Sequence, residues 1–517
     1  MPTGAASLAS LVATSRQVAA SRSRLAKVSA LAGCLAALPP EAVGIAVLYL
    51  SGALPQGRIG IGWRALQSAA AQPAAPTPRL LVGDVDATLR TVAATTGTGS
   101  AAKRAALLAQ LFGLATADEQ DFLLRLLAAE LRQGALDGLM IDAIAAAAAL
   151  PAPEVRRAAM YAPGLGRLAE VALTAGTAGL RQFQLRLFDP VAPMLAQTAA
   201  DVAEALLELS PPVQFEWKMD GARIQVHRRG DEVRIYTRAL NEISAAIPEI
   251  AEAALLLPAD AVILDGEALS YTAGDRPHPF QVTMRRFGRR LNVPSLLAEL
   301  PMRAFFFDCL LLDDEVMADR PMNERVAALD RAVPPAQRIP RLLTTDAAAA
   351  ARFYEEALAA GHEGVMAKSL ASPYEAGNRG ASWFKIKRAH TLDLVVLAAE
   401  WGNGRRVGKL SNLHLGALDP STGDYVMLGK TFKGLTDAML EWQTRELLAR
   451  EVRRDSMTVF VRPELVVEIA FSDLQASPRY PGGLALRLAR VKRYRDDKRA
   501  AEADTMESVR RIHAAQG

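Results

Sequence analysis

The sequence predicts a multidomain protein with an all-α N-terminal domain, an α+β middle domain and a small C-terminal β-barrel. Its 517 residues are too many for one ordinary hydrophobic core. The first ~190 residues are rich in Ala and Leu and have helical periodicity with almost no strand pattern. Alternating apolar and polar segments begin near Phe215, and short strand-like segments separated by turns follow Thr391. We therefore expect domains at residues 1–190, 191–388 and 389–517.

One helix of the N-terminal domain is defined by its ends. Thr116 and Glu119 have the spacing of a capping box, and Gly134 is expected to close the helix. Between them the apolar positions repeat at helical spacing. The residues of this stripe are Phe122, Leu123, Leu126, Leu127 and Leu131.

The strands of the other two domains are predicted from alternation and turn residues. In the middle domain Arg229–Asp231 forms the turn of a hairpin. The predicted middle strands are Gln214–Trp217, Arg223–Arg228 and Val233–Thr237. Those of the barrel are Leu394–Ala398, His414–Leu418, Val426–Leu428 and Val466–Ile469.

The composition is that of a globular protein rather than a disordered or membrane-spanning one. Half of the residues are hydrophobic, 22% are charged, and the formal net charge is +4. That small excess does not indicate a nucleic-acid partner, so such a partner must be argued from where Arg and Lys lie. The longest apolar stretch, Ala42–Leu54, is too short to span a bilayer. Two cysteines, Cys34 and Cys309, are typical of reduced core thiols and favour a cytoplasmic location.

Lys218 is the first candidate catalytic residue. It lies in Glu216–Arg223, read E-W-K-M-D-G-A-R, where a predicted strand meets a turn. A lysine amine is a nucleophile only when neutral, and partial burial and nearby cations would lower its pKa. A single K-x-D-G is more often a surface turn, because Asp-Gly is a common turn pair.

Four later segments favour a catalytic lysine over a surface turn, because they follow Lys218 in a fixed order. Glu267 ends the motif L-D-G-E, and Phe307 lies in F-F-F-D. Glu363 begins E-G-V-M-A-K, and Lys385 and Lys387 alternate in W-F-K-I-K, which places them on one face of a strand. Each segment alone is explained as a turn, a core strand or a basic edge. Their common order and spacing are not explained in this way.

With Lys218, these segments resemble the ordered motifs of the covalent nucleotidyltransferases, the group of ATP-dependent ligases and mRNA capping enzymes. The sequence is most similar to the ATP-dependent DNA ligases of archaeal and actinobacterial type, over essentially the whole chain. The resemblance implies a nucleotidyltransferase (ATP-grasp-like) middle domain and a C-terminal OB-fold. It also implies a reaction in which the lysine takes AMP from ATP, passes it to the 5′-phosphate of a nick, and the 3′-hydroxyl then displaces it.

The resemblance assigns a role to each matching position, with Lys218 as the nucleophile. Glu363 matches the main metal ligand, and Glu267 a carboxylate that contacts the ribose and the metal. The other implied contacts are the backbone or the carboxylate of Glu216 with the adenine edge, Arg223 and Arg238 with ribose or phosphate, with the 5′-phosphate of the nick as the expected partner of Arg238, Phe307 with the adenine ring, and Lys385 and Lys387 with the α-phosphate. Two carboxylates suit Mg²⁺ or Mn²⁺, and phosphoryl transfer needs cations around the phosphorus. We expect Lys385, Lys387 and the metal to lower the pKa of Lys218.

The C-terminal segment favours a DNA ligase over its relatives. Arg495–Lys498 has the pattern R-x-D-K and resembles the closing motif of the family, whose barrel swings over ATP and orients pyrophosphate. The family usually has Phe-Pro upstream, where this chain has Leu488 and Ala489. Segment Gly423–Thr431 is similar to a phosphate-binding P-loop but has five residues between its glycines instead of four. We interpret it as a hairpin of the barrel.

The helical N-terminal region distinguishes the chain from capping enzymes. In the larger DNA ligases such a domain binds the minor groove, which implies a monomer that encircles nicked duplex DNA. Arginines are the candidate phosphate contacts, although each could equally be a solvated helix residue. They are Arg104, Arg125, Arg132, Arg156, Arg157, Arg181 and Arg186.

Two alternatives remain open at this point. One is an RNA ligase or guanylyltransferase, which differs in the nucleotide that labels the protein. The other is a non-catalytic nucleic-acid-binding protein that has kept the fold, which would bind a nick without joining it. The sequence does not choose between replication, repair and end joining.

Overall fold

The computed structural model describes residues 6–57, 59–131, 133, 137–287, 297–388, 390–403 and 406–514. The chain divides into two compact units. One comprises Met1–Met194 with Glu375–Asn378, and the other Leu195–Tyr374 with Arg379–Gly517. In these described stretches there is no helix of the length and apolar character needed to cross a bilayer.

The first unit is helical around one hydrophobic core. Its helices are α1 (Leu8–Ala20), α2 (Arg24–Ala36), α3 (Pro40–Leu50), α4 (Trp63–Ala70), α5 (Val82–Ala94), α6 (Ser100–Leu114), α7 (Ala117–Leu127), α8 (Asp137–Ala147), α9 (Ala152–Tyr161) and α10 (Leu165–Leu180). Helices α3 and α10 pack closely because Gly166 lies against the backbone of Gly44, where a Cβ would be 2.9 Å from the carbonyl oxygen.

Helix α7 has the predicted capping box. The Thr116 side chain accepts from the amide of Glu119, and the Glu119 carboxylate accepts from the amide of Thr116. The helix ends at Leu127, so Leu131 lies beyond it, contrary to the predicted stripe. Gly134, the predicted closing residue, lies outside the described residues.

The second unit begins with the mixed α/β part. Its strands are β1 (Gln197–Thr198), β2 (Val213–Lys218), β3 (Ala222–Arg229), β4 (Glu232–Thr237), β5 (Ala261–Ser270), β6 (Met302–Leu312), β7 (Glu315–Val316), β8 (Arg341–Thr344), β9 (Gly364–Ser369) and β10 (Trp383–Lys387). Its helices are α11 (Val202–Leu209), α12 (Pro248–Leu255), α13 (Phe280–Thr283), α14 (Met322–Ala332) and α15 (Ala347–Ala359).

These strands form two five-stranded sheets. One has the order β1-β10-β9-β2-β8 and the other β4-β3-β5-β6-β7. The predicted hairpin is confirmed: β3 and β4 pair from Arg229 opposite Glu232, and Gly230 has φ +53°. Each sheet packs its apolar face on its own core, α11 and α15 covering the first and α12 and α14 the second.

The remaining part of the second unit is mostly strand. Its elements are β11 (His390–Trp401), β12 (Leu410–Leu418), β13 (Tyr425–Thr431), α16 (Asp437–Ala449), β14 (Glu451–Arg454), β15 (Thr458–Val461), β16 (Val466–Phe471), β17 (Asp473–Ala476), β18 (Leu484–Arg487), β19 (Arg490–Tyr494) and α17 (Met506–Ala514). Seven of these strands form one antiparallel sheet, and β17 and β18 form a separate hairpin. The segment similar to a P-loop is β13, which pairs with β12, so its interpretation as a barrel hairpin is confirmed.

Candidate active site

Lys218 is the last residue of β2, and strand pairing brings Glu363 to it. Strands β2 and β9 are antiparallel, with Lys218 opposite Gly364. The amide of Glu363 donates to the carbonyl oxygen of Lys218 at 3.0 Å. Gly364 has φ +141°, and a Cβ there would lie 2.2 Å from the carbonyl oxygen of Ile386. Only glycine fits at position 364, where the first residue of β9 meets the neighbouring β10.

The carboxylate of Glu363 holds two lysines. Its Oε2 lies 2.7 Å from the Nζ of Lys218, and its Oε1 accepts from the Nζ of Lys387 at 2.6 Å. These three residues lie at the end of β2, immediately before β9 and at the end of β10. The sheet therefore assembles one carboxylate between two ammonium groups, as a site for an anionic substrate requires.

The pKa of Lys218 is raised, which corrects the expected lowering. Burial lowers the pKa of this amine, but the negative charges of Glu363, Glu267 and Asp220 raise it by more. The neighbouring cations instead affect each other. Burial and the charge of Lys218 lower the pKa of Lys387, and burial followed by Lys387 lowers that of Lys385.

Two further carboxyl groups, those of Asp220 and Glu267, lie near Lys218 and have raised pKa values. Burial raises the pKa of Asp220 to about 6, with repulsion from Glu363 adding to it. Burial likewise raises the pKa of Glu267 to about 7, against the attraction of Lys218 and Arg223. Arg487 of the β17–β18 hairpin donates to Asp220 at 3.3 Å. A cavity of about 650 Å³ opens beside Asp220, Glu363 and Arg487.

Glu216 lies on the same face of β2 as Lys218, two residues earlier, and is 2% exposed. Its carboxylate pairs with the ammonium of Lys368 and accepts from Gln214 at 2.7 Å. The Lys368 ammonium also lies over two aromatic rings, 4.5 Å from the centre of Phe307 and 4.3 Å from that of Trp383. The residues predicted to contact adenine, Glu216 and Phe307, are thus joined through Lys368.

Arg223 lies beside the same rings, with its guanidinium 5.3 Å from the centre of Phe307. Its Nε donates to Oδ1 of Asp265 at 3.0 Å and its Nη2 to Oδ2 at 2.5 Å. The hydroxyl of Tyr374 donates to the same Oδ2 at 2.7 Å. Arg223 is therefore held in a fixed orientation by a buried carboxylate.

The structure does not bring every predicted site residue to Lys218. Arg238 is exposed and follows the end of β4. Arg495 and Lys498 pair with Asp393 in the barrel, at 2.7 and 2.6 Å. None of the contacts described for these three residues reaches Lys218.

Besides Asp220 and Arg487, the residues that the structure places at the site and the sequence did not single out include Lys368, Asp265, Trp383 and Tyr374. Lys368, Asp265 and Trp383 lie inside the quoted motifs E-G-V-M-A-K, L-D-G-E and W-F-K-I-K, so a signal for them existed. Tyr374 lies in no motif. Only its burial beside Asp265 identifies it.

The arrangement of carboxylates bears on the expected metal. Among the described residues, no group of three or more His, Cys, Asp or Glu side chains is arranged to hold a metal ion. Mg²⁺ commonly uses one or two protein carboxylates and completes its shell with water and phosphate oxygens. Glu267 and Glu363 are hard oxygen donors, and burial raises the pKa of the Glu267 carboxyl to about 7. The donor set therefore fits such an ion.

Some predicted phosphate contacts of the helical unit are already paired. Arg125 pairs with Asp121 on α7, and Arg156 with Asp142 on α8 at 2.6 Å. Arg104 donates to the carbonyl oxygen of Thr95. Arg132 lies outside the described residues.

Three family models match the chain. "ATP dependent DNA ligase domain" matches residues 193–387, "ATP dependent DNA ligase C terminal region" residues 406–498, and "DNA ligase N terminus" residues 65–145. A solved structure titled "Pmar-Lig_Pre." is similar with a TM-score of 0.61 at 19% identity, over 94% of this chain and 99% of that one. The fold is therefore a helical domain, a nucleotidyltransferase domain and a C-terminal OB-fold, as predicted.

Curated relatives match almost the whole length. A "Probable DNA ligase" of Anaeromyxobacter sp. (strain Fw109-5) is 57% identical over 511 residues, 98% of each chain. One of Mycolicibacterium gilvum (strain PYR-GCK) is 56% identical over 508 residues, 98% of this chain and 99% of that one. On this identity and coverage, the chain belongs to the ATP-dependent DNA ligases, the enzymes that use ATP to seal nicks in duplex DNA.

Proposed function

We propose that this ligase carries AMP on Lys218 and that Glu363, Glu267 and Lys387 organise the phosphates around it. The observation that supports this most directly is the carboxylate of Glu363, which lies 2.7 Å from Lys218 and 2.6 Å from Lys387. An amine surrounded by three carboxylates and a second lysine fits a centre where charge changes during reaction.

The proposed reaction has three steps. The ammonium of Lys218 first gives a proton to solvent, because only the neutral amine has a lone pair with which to attack. The amine then attacks the α-phosphorus of ATP: a P–N bond forms, the nitrogen loses a second proton to solvent, the P–O bond to the β-phosphate breaks, and pyrophosphate leaves with that electron pair. An oxygen of the 5′-phosphate at a nick then attacks the same phosphorus and displaces Lys218. Finally the 3′-hydroxyl attacks the 5′-phosphorus, loses its proton and releases AMP.

Glu363 and Glu267 would hold Mg²⁺ or Mn²⁺, which would supply positive charge beside the phosphate oxygens. Lys385 and Lys387 neutralise the α-phosphate from one face of β10. We further propose that Arg238 contacts the 5′-phosphate of the nick. Its exposed position after β4 leaves it accessible to a macromolecule.

Adenine recognition is proposed at Glu216, Lys368 and Phe307. Glu216 is ion-paired with Lys368, and an ionised carboxylate only accepts hydrogen bonds. That edge therefore favours the amino group of adenine over the carbonyl oxygen of guanine. Arg223, held by Asp265, is the proposed ribose or phosphate ligand.

We propose three domains with the boundaries 1–190, 191–388 and 389–517, and a monomer that encircles DNA inside the cell. The barrel would bring Arg495 and Lys498 to the pyrophosphate of ATP by a domain movement. Phosphate contacts of the helical domain would come from arginines, among them Arg157, Arg181 and Arg186. Support for these points is the family's whole-length match and the basic residues at these positions.

Labelling followed by sealing tests the proposal. ATP labelled at the α-phosphate should mark the protein covalently, labelled GTP should not, and Lys218→Ala should abolish the mark. Lys103→Ala, on α6, is the control and should keep it. The wild-type protein should then join a nicked DNA duplex with Mg²⁺ and ATP better than one with RNA strands. Label retained by Lys218→Ala would overturn the assignment of Lys218 as the nucleophile. Binding of the nick without joining would overturn the proposed sealing reaction.

A further inference from the structure

Tyr374 is a buried tyrosine whose hydroxyl lies within a polar cluster behind the proposed nucleotide site. The residue is 1% exposed. Its hydroxyl donates to Oδ2 of Asp265 at 2.7 Å and accepts from Nη2 of Arg223 at 3.3 Å. Because Arg223 also donates to both oxygens of Asp265, the three side chains form a closed ring of hydrogen bonds. Removing one side chain from this ring therefore leaves the other two less well oriented.

The position of Tyr374 is itself fixed from behind. Its ring meets Trp383 edge-to-face at 6.2 Å, and the guanidinium of Arg325 lies 5.9 Å from the ring centre. Arg325 is fully buried, pairs with Asp308, and donates to the carbonyl oxygen of Ser372 at 2.8 Å. The amide of Tyr374 donates to the carbonyl oxygen of Ala318 at 3.0 Å. Backbone and ring are thus both anchored, so the hydroxyl has a defined position from which to bond.

The chemistry of Arg223 explains why such an anchor matters. A guanidinium paired with one carboxylate through Nε and Nη2 can still swing with that carboxylate, because Asp265 has its own side-chain torsions. A second donor on Oδ2 fixes the torsion of Asp265 and an acceptor on Nη2 fixes the plane of Arg223. The guanidinium of Arg223 is then oriented before a ligand arrives, which lowers the ordering cost of binding.

We infer that Tyr374 is a positioning residue for nucleotide binding and acts through Arg223. This rests on the proposed function, in which Arg223 binds the ribose or phosphate of ATP. The Tyr374 hydroxyl would act through its bonds to Asp265 and Arg223. Its hydroxyl should contribute to the KM for ATP and leave the maximal rate of lysyl-AMP formation nearly unchanged.

The test uses Tyr374→Phe in the full-length protein, with lysyl-AMP formation measured against ATP concentration. Loss of one buried hydrogen bond to a charged group should raise the KM for ATP about tenfold and change the maximal rate less than about twofold. The control is Tyr49→Phe on α3. Tyr49 is also fully buried, and its hydroxyl has no partner among the described residues, so its removal should leave the KM for ATP unchanged.

A double-mutant cycle separates positioning from a structural role. Arg223→Lys should raise the KM for ATP, and adding Tyr374→Phe should then have little further effect, because the residue through which the hydroxyl acts is gone. Effects on KM that multiply would overturn the inference, as would a wild-type KM in Tyr374→Phe or in Arg223→Lys. Labelling of the wild-type protein at Lys218 in the same experiment tests the proposed function separately. If the label forms, the proposed function stands whatever the KM values of the variants are.

Discussion

Glu363 contacts Lys218 twice, once through the backbone and once through the side chain. Its amide donates to the carbonyl oxygen of Lys218 at 3.0 Å, and its carboxylate lies 2.7 Å from the Lys218 ammonium. The first contact belongs to strand pairing and does not depend on the side chain. A substitution at Glu363 can therefore change the charge at the site while the strands stay paired.

Glu363→Gln should slow lysyl-AMP formation by a factor of about 10² or more, because a preorganised charge is lost where the phosphates bind. Affinity for a nicked duplex should change less than about threefold, since many phosphate contacts share that energy. Rapid-quench labelling and fluorescence anisotropy measure the two quantities. Glu356→Gln, on the exposed side of α15, is the matched control. Equal loss of catalysis and nick binding would mean that Glu363 is structural.

Glu216→Gln should weaken the choice of ATP over GTP. Glutamine offers a donor as well as an acceptor, so the guanine carbonyl oxygen gains a partner at that edge. The ratio of kcat/KM for GTP to that for ATP should rise about tenfold, the size of one altered hydrogen bond. The measurement is covalent labelling with each α-labelled nucleotide. If the ratio stays at the wild-type value, the backbone of Glu216 reads the base rather than its carboxylate.

Arg325→Met should lower the free energy of unfolding by about 3–5 kcal/mol, because it leaves Asp308 as an unpaired buried charge. Both side chains of this ion pair are 0% exposed, with Nε and Oδ1 2.8 Å apart. Urea unfolding measures the change. Arg331→Met, exposed on the same helix, should cost less than about 0.5 kcal/mol. The double variant Asp308→Leu/Arg325→Met should recover most of the loss, and failure to recover it would contradict the charge argument.

His227 should make the protein less stable in mild acid. Burial lowers the pKa of this imidazole to about 3, below its ordinary value of about 6.5. The unfolded chain therefore binds a proton between these values that the folded chain does not, and stability falls as the pH drops below about 6.5. At pH 5 the loss from this residue should be about 2 kcal/mol relative to pH 8.

His227→Gln tests that assignment, because an amide can still donate to Gln225 as the ring Nε2 does at 2.9 Å but does not titrate. Its free energy of unfolding, measured by urea titration from pH 8 to pH 5, should fall by about 2 kcal/mol less than the wild-type value does. Parallel curves for the two proteins would show that other groups cause the acid loss.

The strands and turns of the site were predictable from local patterns. Alternation placed Lys385 and Lys387 on one face of β10, and a glycine with positive φ at Gly230 closed the predicted hairpin. The capping box at Thr116 specified where α7 begins. Its end was missed, since Leu131 continues the apolar periodicity beyond Leu127 and periodicity alone does not distinguish a helix from the segment that follows it.

The electrostatics of the site were harder to predict from the sequence. The sequence identified the cations around Lys218 but not the number of carboxylates facing it, and that number decides the direction of its pKa. Asp220 was read as part of a turn, yet it contributes to that shift. The ring formed by Asp265, Arg223 and Tyr374 joins distant segments of the chain, and no local spacing encodes such a contact.

Asp393 pairs with both cations of the R-x-D-K segment, so their release has a cost in free energy. Arg495 and Lys498 both pair with its Oδ2, and the residue is 8% exposed. A ligand that attracts one of the two cations leaves the other to neutralise this carboxylate. A ligand that attracts both must offset a nearly buried, uncompensated charge. Release of both cations would therefore leave Asp393 as a nearly buried carboxylate without either partner, at a cost in free energy that release of one cation avoids.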